Sequence, residues 1–274
     1  MKELNIQELK DFSFRVRKNI LKMSTKGGSY IGSAFSATDL VSYLYTNVLN
    51  INLNNLKSPD RDYFFLSKGH AVPVLYGTFI ELGWFDEKRL DNYLKTSDYL
   101  YWHPNRYIDG VEFHAGSLGH NLAVANGVAI DIKLKAASNK VYILMGDGEL
   151  NEGSNWEAIL TANAYKLDNL TVIVDRNRFQ ANITTEDLIP IEPIEDKFKA
   201  FGWAVKRIDG HNFEEIHSAF STLPFEQGKP SVIIADTIRG KGIPSIEQQA
   251  SKWFVNLNQD EYENALIELE SNKE

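Results

Sequence analysis

Two short signals carry the most chemical information in this 274-residue chain. Gly146-Asp147-Gly148 ends one apolar, β-rich run, and Asp175-Arg176-Asn177 ends another. Both lie in the stretch VYILMGDGELNEGSNWEAILTANAYKLDNLTVIVDRNRFQ, from Val141 to Gln180, with a helix-like segment between them. Asp147 and Asn177 are therefore expected at the carboxyl ends of two neighbouring parallel strands, where open α/β sheets bind ligands. One carboxylate, one amide and a backbone carbonyl are hard oxygen ligands that suit Mg2+ carrying a diphosphate. Backbone N–H groups near Gly148 would meet the diphosphate oxygens. A strand-end aspartate is in general more often a helix cap. The flanking glycines and the second strand-end amide favour the ligand reading here.

Other residues with chemical potential are scattered. Gly116-Ser117-Leu118-Gly119 is either a flexible turn or a place where backbone approaches a cofactor closely. Four of the six histidines, His70, His103, His114 and His120, fall in the polar stretches before or beside that turn. His70 follows the end of a predicted strand in Ser67-Lys68-Gly69-His70, a good place to meet a phosphate. His103 precedes Pro104 in a polar loop and suits proton transfer or hydroxyl binding. His211 and His217 read as packing or hydrogen-bonding residues. No Ser-His-Asp arrangement or zinc-like histidine spacing stands out.

The elements that must position these groups alternate strand and helix. Residues 5–25 read as an amphipathic helix, with Leu9, Phe12, Val16, Ile20 and Met23 at helical spacing. A Gly/Ser-rich loop is expected from Lys26 to Ser36, and Ser36 or Thr38 caps the following helix, DLVSYLYTNVL. A short strand covers Asp62 to Ser67, a helix Pro73 to Leu82, and residues 97–114 are irregular and aromatic. NLAVANGVAIDIKL is a helix of small residues. Beyond the central stretch, Trp203–Ile208 and Ser231–Ile238 are strands, and Asn258 starts a terminal amphipathic helix. This alternation predicts an α/β fold with a doubly wound, mostly parallel sheet flanked by helices, as one domain over residues 1–274.

Composition narrows the partners. The hydrophobic share of 43% and charged share of 24% are ordinary for a globular protein. A net charge of -8 argues against a nucleic-acid binder. No apolar run approaches the ~20 residues that span a bilayer, and MKELNIQELK lacks the apolar core of a signal peptide. The absence of cysteine excludes disulfides and thiolate metal sites, and fits a cytoplasmic protein.

Taken together, LSKGHAVPVLY, GSLGH, GDGELNEGSNWEA, LDNLTVIVDRNRFQ, AFGWAVKRIDGHNFEEI and TIRGKGI resemble, in order and spacing, the amino-terminal thiamine diphosphate domain of transketolase. The resemblance covers nearly the whole chain and implies roles residue by residue. Asp147 and Asn177 would bind Mg2+ by side chain and Phe179 by its carbonyl. Gly148, Asn177 and His70 would contact the diphosphate. Gly116 and Leu118 would offer backbone groups to the aminopyrimidine. Ser117, Gly146, Glu149 and Lys241 complete the expected cofactor-binding set. His103 would bind a substrate oxygen and stabilise developing charge, with His70 beside it. Glu152 resembles the buried acid that links two cofactor sites across a dimer. The family's pyrimidine-binding domain, which supplies the activating glutamate, has no counterpart in this sequence. The resemblance thus implies the N-terminal subunit of a split transketolase, completed by a separate C-terminal subunit in a two-plus-two assembly. Sugars or sugar phosphates would be its substrates.

Three positions depart from the family pattern. Tyr30 stands where a substrate-facing histidine is expected, Phe254 follows Trp253 where a second histidine is expected, and Asn121 replaces a glycine after GSLGH. Phenylalanine neither donates a hydrogen bond nor moves a proton. These departures leave three readings open: ordinary drift, a specialised donor or acceptor such as a 2-oxo acid or an activated sugar, and a non-catalytic scaffold subunit. A decarboxylating synthase or acyl transferase is the alternative enzyme class.

Overall fold

Apart from Ala204–Asp209, which carries Lys206 and Arg207, the strands of the central sheet are apolar runs with no charge until the last residue or two. That pattern belongs to strands buried on both faces. The computed structural model describes residues 3–273. Its central sheet contains β1 (Tyr63–Leu66), β2 (Val141–Gly146), β3 (Leu170–Arg176), β6 (Ala204–Asp209) and β7 (Ser231–Asp236) in the order β1-β2-β3-β7-β6, all parallel. Between β3 and β6 the chain makes a small antiparallel hairpin, β4 (Phe179–Gln180) and β5 (Ile183–Thr184). The register places Gly146 beside Asp175 and Arg176 beside Asp236, so the acidic strand ends line up along one edge.

Ten α-helices surround the sheet among the described residues: α1 (Ile6–Ser24), α2 (Ile31–Ser36), α3 (Thr38–Tyr43), α4 (Pro73–Glu81), α5 (Asn121–Leu134), α6 (Gly153–Ala164), α7 (Thr185–Leu188), α8 (Ile194–Ala200), α9 (Phe213–Phe220) and α10 (Gln259–Ser271). Alternating strand residues feed two cores. Phe64, Tyr142, Leu144, Ile173 and Ile233 face the core built with α1, α3, α4 and α9. Phe65, Ile143, Val172, Val174 and Ile234 face the core built with α5, α6 and α8. This is the doubly wound arrangement the strand–helix alternation predicts. Helix α1 begins with Asn5 and Glu8 in a reciprocal capping box, and α10 begins the same way with Asn258 and Glu261.

One local expectation fails. The Gly/Ser-rich loop is not irregular to its end: Ile31–Ser36 is helical and wholly buried. Small, polar residues are poor helix formers in isolation, but here they let the backbone sit tightly. A Cβ on Gly32 would lie 2.9 Å from Arg239 Nε, and the Ser36 hydroxyl donates to Asp175 Oδ2 at 2.6 Å. Tertiary contacts override propensity. The next helix is also split, with α3 passing into a wider five-residue turn over Leu44–Val48.

Candidate active site

The carboxyl edge of the sheet opens into a cavity of about 280 Å³. Asp147, directly after β2, is 1% exposed. Its Oδ1 accepts from Gly148 N–H at 2.9 Å and its Oδ2 from Arg178 N–H at 2.7 Å. Burial and the neighbouring Asp175 push the Asp147 carboxyl up to about 7. A carboxylate that resists ionisation when alone is a good partner for a cation. Asn177, just past β3, turns its Oδ1 to Phe179 N–H at 3.0 Å and its Nδ2 towards Asp175 Oδ2 at 3.3 Å. Between them Arg178 adopts a left-handed backbone, φ 69. That turn carries its N–H onto Asp147 and brings Phe179 round to the cavity wall. Gly148 is needed for close approach, because a Cβ there would lie 2.8 Å from the Gln180 side chain.

Asp147, Gly146, Gly148, Asn177, Phe179, His70 and Leu118, drawn from distant parts of the chain, line this one cavity. His70 shares a 2.9 Å hydrogen bond with Ser33. Burial, then the Lys68 charge, pushes its imidazole down to about 3, so it is neutral throughout the working pH range. His103 packs over Gly116, at 3.5 Å from a Cβ built there, and burial lowers it as well. Gly116 and Ser117 are exposed beside it.

Glu149 also lines the cavity, but its carboxylate is fully engaged by the protein. It is 2% exposed and accepts from Ser67 Oγ, Gly119 N–H and Gly146 N–H. It ties the ends of β1 and β2 to the Gly116–Gly119 turn, which makes it a support behind the cradle. Glu152 is exposed in the single chain at the start of α6. It therefore lacks the burial its resemblance implies; a second chain would have to cover it.

Lys241, in the expected cofactor-binding set, does not line this cavity. It lines a separate small cavity with Arg17, Asp39 and His211. The cation at the edge of the sheet is Arg239, two residues earlier and three past the end of β7. Arg239 is 2% exposed and its Nη1 donates to Ala181 O at 2.6 Å. Its Cζ lies 5.0 Å from the Phe179 ring centroid, and its Nη2 is buried with no partner. Burial pushes the guanidinium down to about 10, against the pull of Asp147 and Asp175. An orphaned guanidinium nitrogen beside a cavity is what an anion such as a phosphate satisfies. Lys68, 1% exposed, does not stand out in the sequence either; it pairs with the fully buried Asp175. Burial raises Asp175, but Lys68 and the hydroxyls of Ser36 and Thr237 hold it below the usual carboxylate range.

Another wall of the cavity, formed by His70 and Trp253, is backed by an aromatic cluster. The Tyr30 ring lies 5.5 Å from His70, 6.3 Å from His103, 5.0 Å from Trp253 and 5.1 Å from Phe254. Phe254 fits against Gly28 (φ +88), where a Cβ would come within 2.4 Å of its ring, and Trp102 Nε1 donates to Gly28 O at 3.0 Å. Tyr30 thus stands beside both imidazoles and Phe254 stands behind Tyr30, where the family pattern has histidines. Asn121 is the buried first residue of α5. His211 and His217 are structural: His211 bonds Asp39 at 2.7 Å within an Arg17–Asp39 pair, and His217 bonds Tyr43 at 2.8 Å.

Among the described residues no cluster of three or more His, Cys, Asp or Glu side chains could hold a metal ion. One carboxylate and one amide at the cavity wall, with the partnerless Arg239 nitrogen, fit a Mg2+ that takes its remaining oxygens from a phosphorylated ligand. No helix among the described residues is long and apolar enough to cross a membrane.

A parallel α/β sheet whose carboxyl edge holds a buried Asp/Asn pair and an anion-seeking arginine defines a diphosphate-binding domain. Comparison with known proteins gives the family. The transketolase, thiamine diphosphate binding domain family matches residues 19–272, and the chain belongs to it. It is 39% identical over 272 residues to one of the subunits of the apulose-4-phosphate transketolase of Actinobacillus succinogenes, covering 97% of each chain. It is 36% identical to the SqwG subunit of the 6-deoxy-6-sulfo-D-fructose transketolase of a Clostridium species, covering 93% of this chain and 94% of that one. The crystal structure of transketolase from Campylobacter jejuni superposes with a TM-score of 0.86 at 27% identity, over 98% of this chain but 45% of that one. The chain thus matches these two separate subunits over nearly their full length and spans less than half of that transketolase.

Proposed function

We propose that this chain is the cofactor-diphosphate-holding subunit of a two-subunit transketolase. The enzyme transfers a two-carbon ketol unit from a ketose to an aldose. The observation that carries this reading is the buried Asp147–Asn177 pair sharing a cavity with Arg239, in a chain that matches transketolase subunits over nearly their full length. Thiamine diphosphate, when bound, supplies the carbanion chemistry that breaks and makes the carbon–carbon bond next to a carbonyl.

The chain's own groups do the holding. Asp147 and Asn177 side-chain oxygens and the Phe179 carbonyl hold Mg2+. Gly148 N–H, His70 and Arg239 hold the phosphate oxygens. Backbone groups of Gly116 and Leu118 face the aminopyrimidine. His70, kept neutral by burial, and His103, which burial also biases towards the neutral form, can donate or accept at the substrate's hydroxyl and carbonyl oxygens. Tyr30 packs against His70 and Trp253 of the cavity wall, Phe254 packs against Tyr30, and the two shape the substrate space by ring surface. The pyrimidine-side glutamate comes from a second subunit. The assembly is two-plus-two, and Glu152 becomes buried at the contact between copies.

Co-expression with the partner subunit tests the reading. The purified complex should retain thiamine diphosphate by native mass spectrometry and move a two-carbon unit between a ketose and an aldose. Release of CO2 from a 2-oxo acid with no turnover of any ketose would replace it with the decarboxylating class. A complex that retains no cofactor would indicate a scaffold.

A further inference from the structure

The group least explained by this function is Asp175. It is a carboxylate with 0% exposure, yet it neither reaches solvent nor figures among the expected ligands. Four donors converge on it. Lys68 Nζ and Thr237 Oγ1 bond it directly, Ser36 Oγ lies at 2.6 Å and Asn177 Nδ2 at 3.3 Å. Lys68, itself 1% exposed, donates a second bond to Ser33 O at 3.1 Å, and Ser33 carries the hydrogen bond to His70.

The consequence falls on Asn177. The two ends of a side-chain amide are nearly the same size and differ only in that one donates and the other accepts. An ionised carboxylate only accepts, so Asp175 admits the Nδ2 end alone. Phe179 N–H, which only donates, admits the Oδ1 end. Both contacts choose one orientation, and in it the amide oxygen of this cavity-lining residue points away from Asp175. Lys68 makes this tolerable: a buried carboxylate without a paired cation would be costly.

We infer that Asp175, charge-balanced by Lys68, is a positioning residue that fixes the Asn177 amide with its oxygen towards the cation site. This rests on the cation reading of Asp147 and Asn177 given above, and concerns a residue that touches neither metal nor cofactor. Outer partners of metal ligands typically change metal affinity 10- to 100-fold when removed.

The test uses the assembled two-subunit complex and reads Mg2+ and Ca2+ affinity at fixed thiamine diphosphate by titration calorimetry. Mg2+ demands near-octahedral geometry, whereas Ca2+ tolerates irregular sites. A mis-set amide should therefore hurt Mg2+ selectively. In Asp175→Asn, Mg2+ affinity should fall about tenfold or more, and Ca2+ affinity by less than about threefold. An equal loss for both ions, or no loss, would overturn the inference, because a role in general stability does not distinguish them. The double variant Asp175→Asn/Asn177→Asp keeps the local charge and has no amide left to orient at the ligand position. It should recover wild-type Mg2+ affinity to within about threefold. If Asp175→Asn alone does not fold, this double variant decides: recovery supports the assignment, and a loss beyond about tenfold sinks it. A wild-type complex with no metal-dependent cofactor binding at all would instead reject the underlying function.

Discussion

The two walls of the cavity are built on different principles. The diphosphate wall consists of strand ends, and its charges are buried: Asp147, Asp175, Lys68 and Arg239 are each 2% exposed or less, and Lys68 pairs with Asp175. The aromatic wall consists of loops from distant parts of the chain, and Tyr30 meets His70 and Phe254 edge to face at 5.5 and 5.1 Å and Trp253 at a tilt at 5.0 Å. The first wall tolerates almost no change in charge or hydrogen bonding, because every loss strands a buried partner. The second tolerates exchange of one ring for another at modest cost. A cofactor shared by a family belongs on the first kind of wall and a variable substrate on the second.

Asp147→Ala breaks the comparison most severely. It removes the one carboxylate at the cation position and leaves Arg178 N–H and Gly148 N–H without an acceptor. Mg2+-dependent binding of thiamine diphosphate by the assembled complex should fall by about a hundredfold or more, ~3 kcal/mol. Calorimetry with and without Mg2+ measures it, and unchanged affinity would contradict the site.

A matched pair of variants sharpens the same wall. Arg239→Ala removes the buried cation whose Nη2 has no protein partner, and should weaken cofactor binding by about tenfold to a hundredfold. Lys241→Ala alters the separate cavity near Arg17 and Asp39, and should leave cofactor affinity within about twofold. Direct binding assays on both variants decide between the two cations; the reverse ranking would restore the expectation drawn from the sequence.

The pH dependence of stability probes His70. Its folded pKa, about 3, lies below the ordinary value of 6.5. The unfolded chain therefore gains a proton that the folded chain refuses. Above pH 6.5 this group has no effect, and stability is lost as pH falls from 6.5 towards 3. The loss approaches ~1.4 kcal/mol per pH unit, or about 2 kcal/mol by pH 5. Asp147 acts in the opposite sense, since its raised pKa lets the folded state take up a proton below about 7. The diagnostic quantity is therefore the difference between wild type and His70→Asn. Urea unfolding at pH 7 and pH 5 should show the wild type losing about 2 kcal/mol more than the variant. Parallel losses would mean that His70 is not held neutral by its surroundings.

The same contrast explains what could be read in the sequence. Strands such as VYILMG and LTVIVDR are unbroken apolar runs, and their ends carry Asp147 and Asn177, so sheet and cation pair are visible together. Helix α2 is hidden because Gly32, Ser33 and Ser36 favour loops locally, and only the packing of Arg239 and the Asp175 bond make them helical. Arg239 and Lys241 share one RGKG run, and the distance from the strand end is the signal that separates them. Lys68 is overshadowed by its neighbour His70, and nothing in the sequence pairs it with Asp175, which is far along the chain. Glu152 is exposed in the single chain, so the burial expected of it is not visible here. The aromatic wall is non-local throughout: no pattern joins Tyr30, Trp102, Trp253 and Phe254 before the fold does.

The smallest expected effect tests whether that wall governs substrate rather than cofactor. Phe254→His and Tyr30→His each place an imidazole where a ring now packs, Tyr30 beside His70 and His103 and Phe254 against Tyr30. Neither residue donates to or accepts from the groups around Asp147, so cofactor affinity should stay within about twofold. A substrate hydroxyl that finds a new hydrogen-bond partner gains about 1 kcal/mol, roughly fivefold in kcat/KM for a polar ketose donor. A donor that binds by its C–H surface loses contact with the Tyr30 and Phe254 rings and should weaken by a similar factor. Steady-state kinetics of the assembled complex with two donors of differing hydroxylation read this as a change in their ratio. If both donors and the cofactor weaken together, the aromatic residues are packing for the whole cavity, and the division between a fixed cofactor wall and an exchangeable substrate wall fails.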